Sequence, residues 1–211
     1  MSISPGIAGV VLAAGASTRM GRDKALLPWK GSTLLGVTID RIKRATELVI
    51  VVAGTNSESL KVEVFSRAAY LVINPNPEEG QFSSLRIGLQ AVMNHGRDSA
   101  LIALVDRPPA AAVTLEQMIA RFRENGRETG KYKKWAVVPE SIDPATGIAK
   151  HGHPILVGRE MIEAFLKADP TSNARDVEHT YQARIDYLPV NDPNILANVN
   201  TPEEFERLTS Q

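Results

Sequence analysis

The chain has 211 residues, 43% of them hydrophobic, enough to bury one sizeable core, and a single domain spanning residues 1–211 is expected. Lys plus Arg and Asp plus Glu balance at 24 each, so no net field directs the protein to nucleic acid or to an anionic membrane, and neither is expected as a partner. Cysteine is absent, which excludes disulfides, thiolate zinc sites and cysteine nucleophiles; with no basic leader and no apolar run of ~20 residues, a cytoplasmic location is expected.

Apolar runs at 7–14, 48–53, 70–73 and 100–105 are short and rich in Val, Ile and Leu, and they read as parallel strands buried on both faces. Leu35, Ile39 and Ile42 form one helical stripe, and Phe82, Leu85, Leu89 and Val92 form another. A third stripe, Leu115, Met118, Ile119 and Phe122, precedes a polar stretch at 124–134 and a strand at 135–138. Residues 140–153 carry Gly, Pro, Asp and Lys with little periodicity, the composition of a mobile loop able to close over a ligand. A strand at 154–157, a helix with Met161, Ile162, Phe165 and Leu166, a strand at 185–188 and a terminal helix complete the order. Thr201 caps that last helix, Pro202 suits its first turn and Glu204 completes a capping box. The alternation predicts a three-layer α/β/α fold with an open, mostly parallel sheet, whose ligands bind beyond the carboxyl ends of strands.

From Leu12 through Ala13, Ala14, Gly15, Ala16, Ser17, Thr18, Arg19, Met20, Gly21, Arg22 and Asp23 to Lys24, the exit from the first strand has small residues where a backbone must approach a ligand. Gly15 and Gly21 allow conformations that turn successive amides inward to cradle phosphate oxygens, and Arg19 and Lys24 add charge. Neither G-x-G-x-x-G nor a G-K-[ST] ending is present, so the Rossmann fingerprint and the Walker A loop are excluded. A mere tight turn needs only one or two special residues, fewer than are spent here.

This run resembles the signature L-A-A-G-x-S-x-R-M-G-x-x-K, followed by Leu-Leu-Pro, of the MobA-like NTP transferases, most closely their molybdenum cofactor cytidylyltransferase branch. The resemblance implies the Rossmann-like fold of nucleotide-diphospho-sugar transferases. It also implies that the backbone of Leu12, Ala13, Ala14 and Gly15 reads the nucleobase while Arg19 and Lys24 bind the triphosphate. Ala13-Ala14-Gly15, in place of the Ala-Gly-Gly of guanylyl-transferring relatives, points to cytosine.

Further matches follow in chain order. Gly80-Gln81-Phe82-Ser83-Ser84-Leu85-Arg86 is similar to the family's G-M-x-S-S-L-R run. Its Ser83 and Ser84 hydroxyls stand in a helix's first turn, where they either contact base or ribose or, for Ser83, simply cap. Asp106 ends a strand, as a turn residue or as a ligand for magnesium, which takes only one or two oxygens from protein. The family reads D-Q-P or D-M-P here; Arg107 departs from it, and either contacts pyrophosphate or acceptor or narrows substrate choice.

Gly152-His153-Pro154 matches the family's G-H-P element on the acceptor side, with His153 either bonding an acceptor phosphate or serving as a structural imidazole. His151 and His153 lack partners spaced for zinc. Asn173-Ala174-Arg175 matches the family's G-A-R only in part, leaving Arg175 as an acceptor-side candidate. Asn198-Val199-Asn200-Thr201-Pro202-Glu203-Glu204 resembles the closing element, where cytidylyl-transferring members read D-x-D-T-P-E-D and guanylyl-transferring ones N-x-N-T-P-E-E. Asn200 can offer a carbonyl oxygen to magnesium, and this ending pulls towards guanine.

The resemblance thus implies a magnesium-dependent transfer of CMP, or GMP, from a nucleoside triphosphate to a phosphorylated acceptor, molybdopterin being expected. Asp106 and Asn200 would hold the metal, and Arg19, Lys24 and loop amides would neutralise charge as pyrophosphate leaves. Two alternatives stay open: a sugar or polyol phosphate as acceptor, and a nucleotide-binding module without catalysis.

Overall fold

In the computed structural model, which describes residues 6–15, 23–128, 131–143, 146–199 and 201–209, the apolar runs become strands of one eight-stranded sheet. They are β1 (Ile7–Leu12), β2 (Leu48–Ala53), β3 (Tyr70–Ile73), β4 (Ser99–Leu104), β5 (Ala136–Ile142), β6 (Ala149–His151), β7 (Ile155–Gly158) and β8 (Ile185–Pro189). Successive side chains of a strand point to opposite faces, so each buried strand feeds two cores. On one face Ile7 and Val11, Val49 and Val51, and Leu101 and Ala103 meet α1 (Leu34–Lys43), α2 (Ser57–Phe65) and α4 (Ala112–Asn125). On the other, Ala8 and Val10, Ile50 and Val52, and Ala100 and Ile102 meet α3 (Gln81–Asn94), α5 (Arg159–Lys167) and α6 (Ala174–Thr180). The three layers expected from the alternation result.

The helical stripes are the buried faces: Leu35 and Ile39 of α1, Leu89 and Val92 of α3, and Met118 of α4 have no exposed surface. Local chemistry starts and stops these helices. The Thr33 hydroxyl accepts the Gly36 N–H at 2.9 Å and so begins α1. In the last helix, α7 (Pro202–Thr209), the Thr201 hydroxyl accepts the Glu204 N–H at 3.2 Å, as its sequence predicts. Phe205 and Leu208 of α7 pack on Leu27, Trp29 and Leu34, which anchors the chain just beyond Lys24. No helix among the described residues is long and apolar enough to cross a membrane.

Strand order across the sheet is β6-β5-β7-β4-β1-β2-β3, with β8 on the far edge of β5. β3, β2, β1 and β4 are mutually parallel, whereas β7 runs against both β4 and β5. β1 therefore has β2 on one side and β4 on the other, the topological switch point at which open α/β sheets bind ligands.

One expectation is corrected. Residues 140–153 are not an irregular loop: β5 runs through Ile142, and β6 pairs with it from Ala149 to His151. Both arms face solvent there and the pairing is carried by backbone bonds, so no apolar period marks the strands. Two helices also left little trace in the sequence, since α2 buries only Leu60 and Val64, and α6 only Val177.

Candidate active site

The carboxyl ends of β1 and β4 lie side by side, tied by the Val105 N–H to the Leu12 carbonyl at 3.1 Å. Ala13 donates across to Val52 of β2 at 2.8 Å, so the strand exit is held between both neighbours. Ala13 and Ala14 are buried; Gly15 is exposed, and a side chain there would meet nothing within 4 Å among the described residues. Lys24 resumes the chain in a short 3-10 turn whose cap, Asp23, accepts the Ala25 N–H at 3.0 Å. Arg19, between them, lies outside the described residues, as does Asn200.

Asp106 follows β4 by two residues, and its Oδ1 is buried with no hydrogen-bond partner among the described residues. A buried carboxylate oxygen left without a donor is costly unless a cation or ligand completes it, so this atom fits a hard divalent ion. No cluster of three His, Asp or Glu stands ready for a metal among the described residues, and magnesium needs none, because phosphates and waters fill most of its shell.

A C-terminal strap lies across this edge. Val199 N–H bonds the Asp106 carbonyl at 2.8 Å, the Ile195 carbonyl accepts from Arg107 Nη1 at 3.2 Å and from the His153 N–H at 3.1 Å, and Asn194 Nδ2 reaches the Pro109 carbonyl at 3.1 Å. Gly152 lets the strap come this close, since any side chain there would strike the Ile195 backbone. Asp192 anchors the strap from within: its buried carboxylate accepts from Ala111 N–H and the Thr114 hydroxyl, both at 2.7 Å, and from Asn194 N–H at 3.1 Å. α4 has no side-chain cap of its own, so Asp192 caps it from the far end of the chain.

Between the strap, α3 and α6 opens a cleft of about 1490 Å³. It gathers Leu12, Gly80, Arg107, Gly152, His153, Arg175 and Asn198, seven positions singled out in the sequence. Gly80 begins α3 at φ +95°, in the left-handed region that glycine tolerates. Ser83 and Ser84 turn the other way. Both hydroxyls accept from Asn74 Nδ2, at 2.8 and 2.9 Å, and Ser84 is buried, so the pair fastens the first turn of α3 to the end of β3. Ser83, Ser84, Lys24 and Asp106 do not belong to the described lining of this cleft.

The charges near the strap are tuned by burial. Desolvation pushes the Arg107 guanidinium below the usual arginine range, with the Asp106 charge acting in the opposite direction. His153 is pushed down to about 4, first by burial and then by the Arg107 charge, while a bond to the Ile102 carbonyl opposes both. It is therefore neutral at pH 7. Its Nδ1 is buried without a hydrogen-bond partner among the described residues.

The opposite wall is one that sequence reading largely missed. His151 stacks on Tyr187 with ring centroids 4.0 Å apart, and its Nε2 lies 3.1 Å from Glu140. Glu178 joins them in the cleft; burial raises its carboxyl above the usual range, and Arg175 counters this. Nothing in residues 140–151 flags this wall, because the residues converge from β5, β6, β8 and α6 only after folding.

The sequence matches the MobA-like NTP transferase domain over residues 9–185. The chain belongs to that family. Among its relatives, the nicotine blue oxidoreductase of Paenarthrobacter nicotinovorans is 27% identical over 97% of each chain. A probable molybdenum cofactor guanylyltransferase of Rhodopirellula baltica is 28% identical, over 95% of this chain and 90% of that one. Rv0371c from Mycobacterium tuberculosis H37Rv shares the fold with a TM-score of 0.81 at 26% identity, covering 99% of this chain and all of that one.

Two departures of this MobA-like chain from the family signature now have local reasons. Arg107, where relatives carry Gln or Met, is the donor that grips the Ile195 carbonyl and so fixes the strap. Asn173, in place of glycine, caps α6 by accepting the Asp176 N–H at 3.0 Å, which aims the start of that helix, with Arg175, at the cleft.

Proposed function

We propose that this chain is a magnesium-dependent nucleotidyltransferase that moves a nucleotide from a nucleoside triphosphate to a phosphorylated acceptor in the cytoplasm. CMP is favoured over GMP, and molybdopterin is the favoured acceptor. One observation carries the reading: the glycine-bearing exit of β1 stands beside an unpaired buried carboxylate oxygen of Asp106, past the end of the neighbouring β4. Family membership and the relative named as a molybdenum cofactor guanylyltransferase support it.

In this reading the backbone from Leu12 to Gly15 holds the base, and Lys24, with Arg19, neutralises the triphosphate. Asp106 and Asn200 hold magnesium, which when bound supplies a Lewis acid for the phosphate oxygens. An acceptor phosphate oxygen forms a bond to the α-phosphorus, the bond from that phosphorus to the bridging oxygen breaks, and the electron pair leaves with pyrophosphate. Arg175 supplies positive charge on the acceptor side. His153, kept neutral by burial, offers the acceptor a hydrogen bond from its unpartnered Nδ1 edge rather than a positive charge.

The test is a pyrophosphate-release screen crossing CTP, GTP, UTP and ATP with molybdopterin and a panel of sugar and polyol phosphates, with and without magnesium. Release with CTP and molybdopterin that requires magnesium is the expected result; nucleotide binding without release in any combination refutes catalysis. A second reading, an oxidoreductase activity, has the similarity to nicotine blue oxidoreductase in its favour. Substrate-dependent loss of NADH or NADPH absorbance in the absence of any triphosphate would decide for it.

A further inference from the structure

Ala13 and Asp23 stand at the two ends of the segment assigned above to the triphosphate, and one side chain from outside the segment reaches both. Asn56, three residues past β2, donates Nδ2 to the Ala13 carbonyl at 2.9 Å and to Asp23 Oδ2 at 2.7 Å. Its Oδ1 accepts the Gly54 N–H at 3.0 Å, so the amide is fixed from its own backbone as well. Only a carboxamide suits this place, because two acceptors need two N–H donors on one nitrogen while the remaining atom must accept.

The second half of the contact leads to Lys24. Asp23 Oδ1 accepts the Ala25 N–H and caps the turn in which Lys24 sits, while Asp23 Oδ2 is held by Asn56. Gly54 allows the approach, since a side chain there would meet the Ala14 carbonyl oxygen at 2.9 Å and Pro77 at 3.0 Å. A bond to a charged acceptor at this length is among the stronger neutral-to-ion contacts, and with the bond to the Ala13 carbonyl it ties Ala13 and Asp23 to one side chain before any ligand arrives.

We propose that the Asn56–Asp23 bond is a clasp that sets the spacing between the Ala13–Gly15 backbone and Lys24, which makes Asn56 a positioning residue for polyphosphate binding. Asn56 acts through Asp23 and does not touch the ligand. The inference rests on the nucleotidyltransferase reading and adds a residue to it that no signature in the sequence marks.

The experiment measures binding of inorganic tripolyphosphate with magnesium by isothermal titration calorimetry. It compares the wild-type chain, Asn56→Asp, Asp23→Ala and the double variant Asn56→Asp with Asp23→Asn, with thermal midpoints recorded alongside. Asn56→Asp sets a carboxylate against a carboxylate and a carbonyl at almost unchanged volume; Asp23→Ala removes the bond without adding a charge. The double variant exchanges donor and acceptor across the same contact, which a merely structural role would not reward. Each single variant is expected to bind roughly 10-fold more weakly, and the double variant, which restores the bond between positions 56 and 23 but not the one to the Ala13 carbonyl, to bind more tightly than Asn56→Asp and more weakly than wild type. Wild-type affinity in Asp23→Ala, or a double variant no better than Asn56→Asp, overturns the clasp; should Asn56→Asp fail to fold, Asp23→Ala decides. A wild-type chain that does not bind tripolyphosphate overturns the triphosphate reading itself, a result distinct from bound ligand with indifferent variants.

Discussion

Two flanks of the strand-end region use different materials. The exit of β1, outside the described lining of the cleft, is main chain from Ala13 to Gly15, with the Ala13 carbonyl held by the Asn56 side chain, which also donates to Asp23. Beside β5, β6 and α6 the cleft wall is side chains, carried on an exposed hairpin and a short helix and held by surface contacts such as the Lys150–Asp143 ion pair and the approach of His151 Nε2 to Glu140. On the proposed reading the first flank holds a triphosphate, which is the same in every nucleotide, and the second an acceptor, which differs from one reaction to the next; side chains on an exposed hairpin can change without disturbing the sheet.

That contrast orders the expected effects. The largest lie on the nucleotide flank: Asp106→Ala should abolish magnesium-dependent pyrophosphate release, and Lys24→Ala should lower turnover by roughly 10²-fold or more, as when a contact to developing charge is removed. Steady-state kinetics at saturating substrate check both, and full turnover in either variant would break the contrast. Next comes the strap, which both flanks share. Asp192→Ala removes a buried acceptor of three hydrogen bonds and the cap of α4, and should cost roughly 2–4 kcal/mol in urea unfolding.

His153 sharpens the comparison through pH. Its folded value of about 4 lies below the 6.5 of the unfolded chain, so between these values unfolding takes up a proton. Its contribution is complete above pH 6.5 and is lost as pH falls towards 4, on the order of 3 kcal/mol, and His153→Gln should flatten that part of the stability profile. The smallest effects belong to the acceptor flank. Arg175→Ala should raise the acceptor KM several-fold with little change in kcat, and Lys150→Ala should move stability by less than about 1 kcal/mol, as exposed ion pairs do. An Arg175→Ala defect in kcat as deep as that of Lys24→Ala would erase the distinction.

The strands that place the exit of β1 were legible in the sequence and the hairpin wall of the cleft was not, for physical reasons. Buried parallel strands such as β1 and β4 must be apolar runs, and the first loop needs a dozen residues of restricted type in succession, so both are written locally. The hairpin of β5 and β6 is solvent-facing, and neither the stacked His151 and Tyr187 nor the carboxylate of Glu178 has any sequence neighbour that announces it. Ser84 was legible as a motif residue but not in its placement, because its tie to Asn74 crosses from α3 to the end of β3. Arg107 and Asn173 read as departures until the strap and the α6 cap gave them partners.

The Asp192 carboxylate meets Ala111 across 81 positions of chain, and this separation has a consequence for how the molecule comes into being. A polypeptide emerging from the ribosome can lay down the sheet and most of its helices before Asp192 exists, yet the entrance to α4 and the surroundings of Asp106 are completed only when it arrives. A chain whose synthesis is halted before residue 192 should therefore hold most of its layers yet leave the Ala111 N–H and the Thr114 hydroxyl without their acceptor.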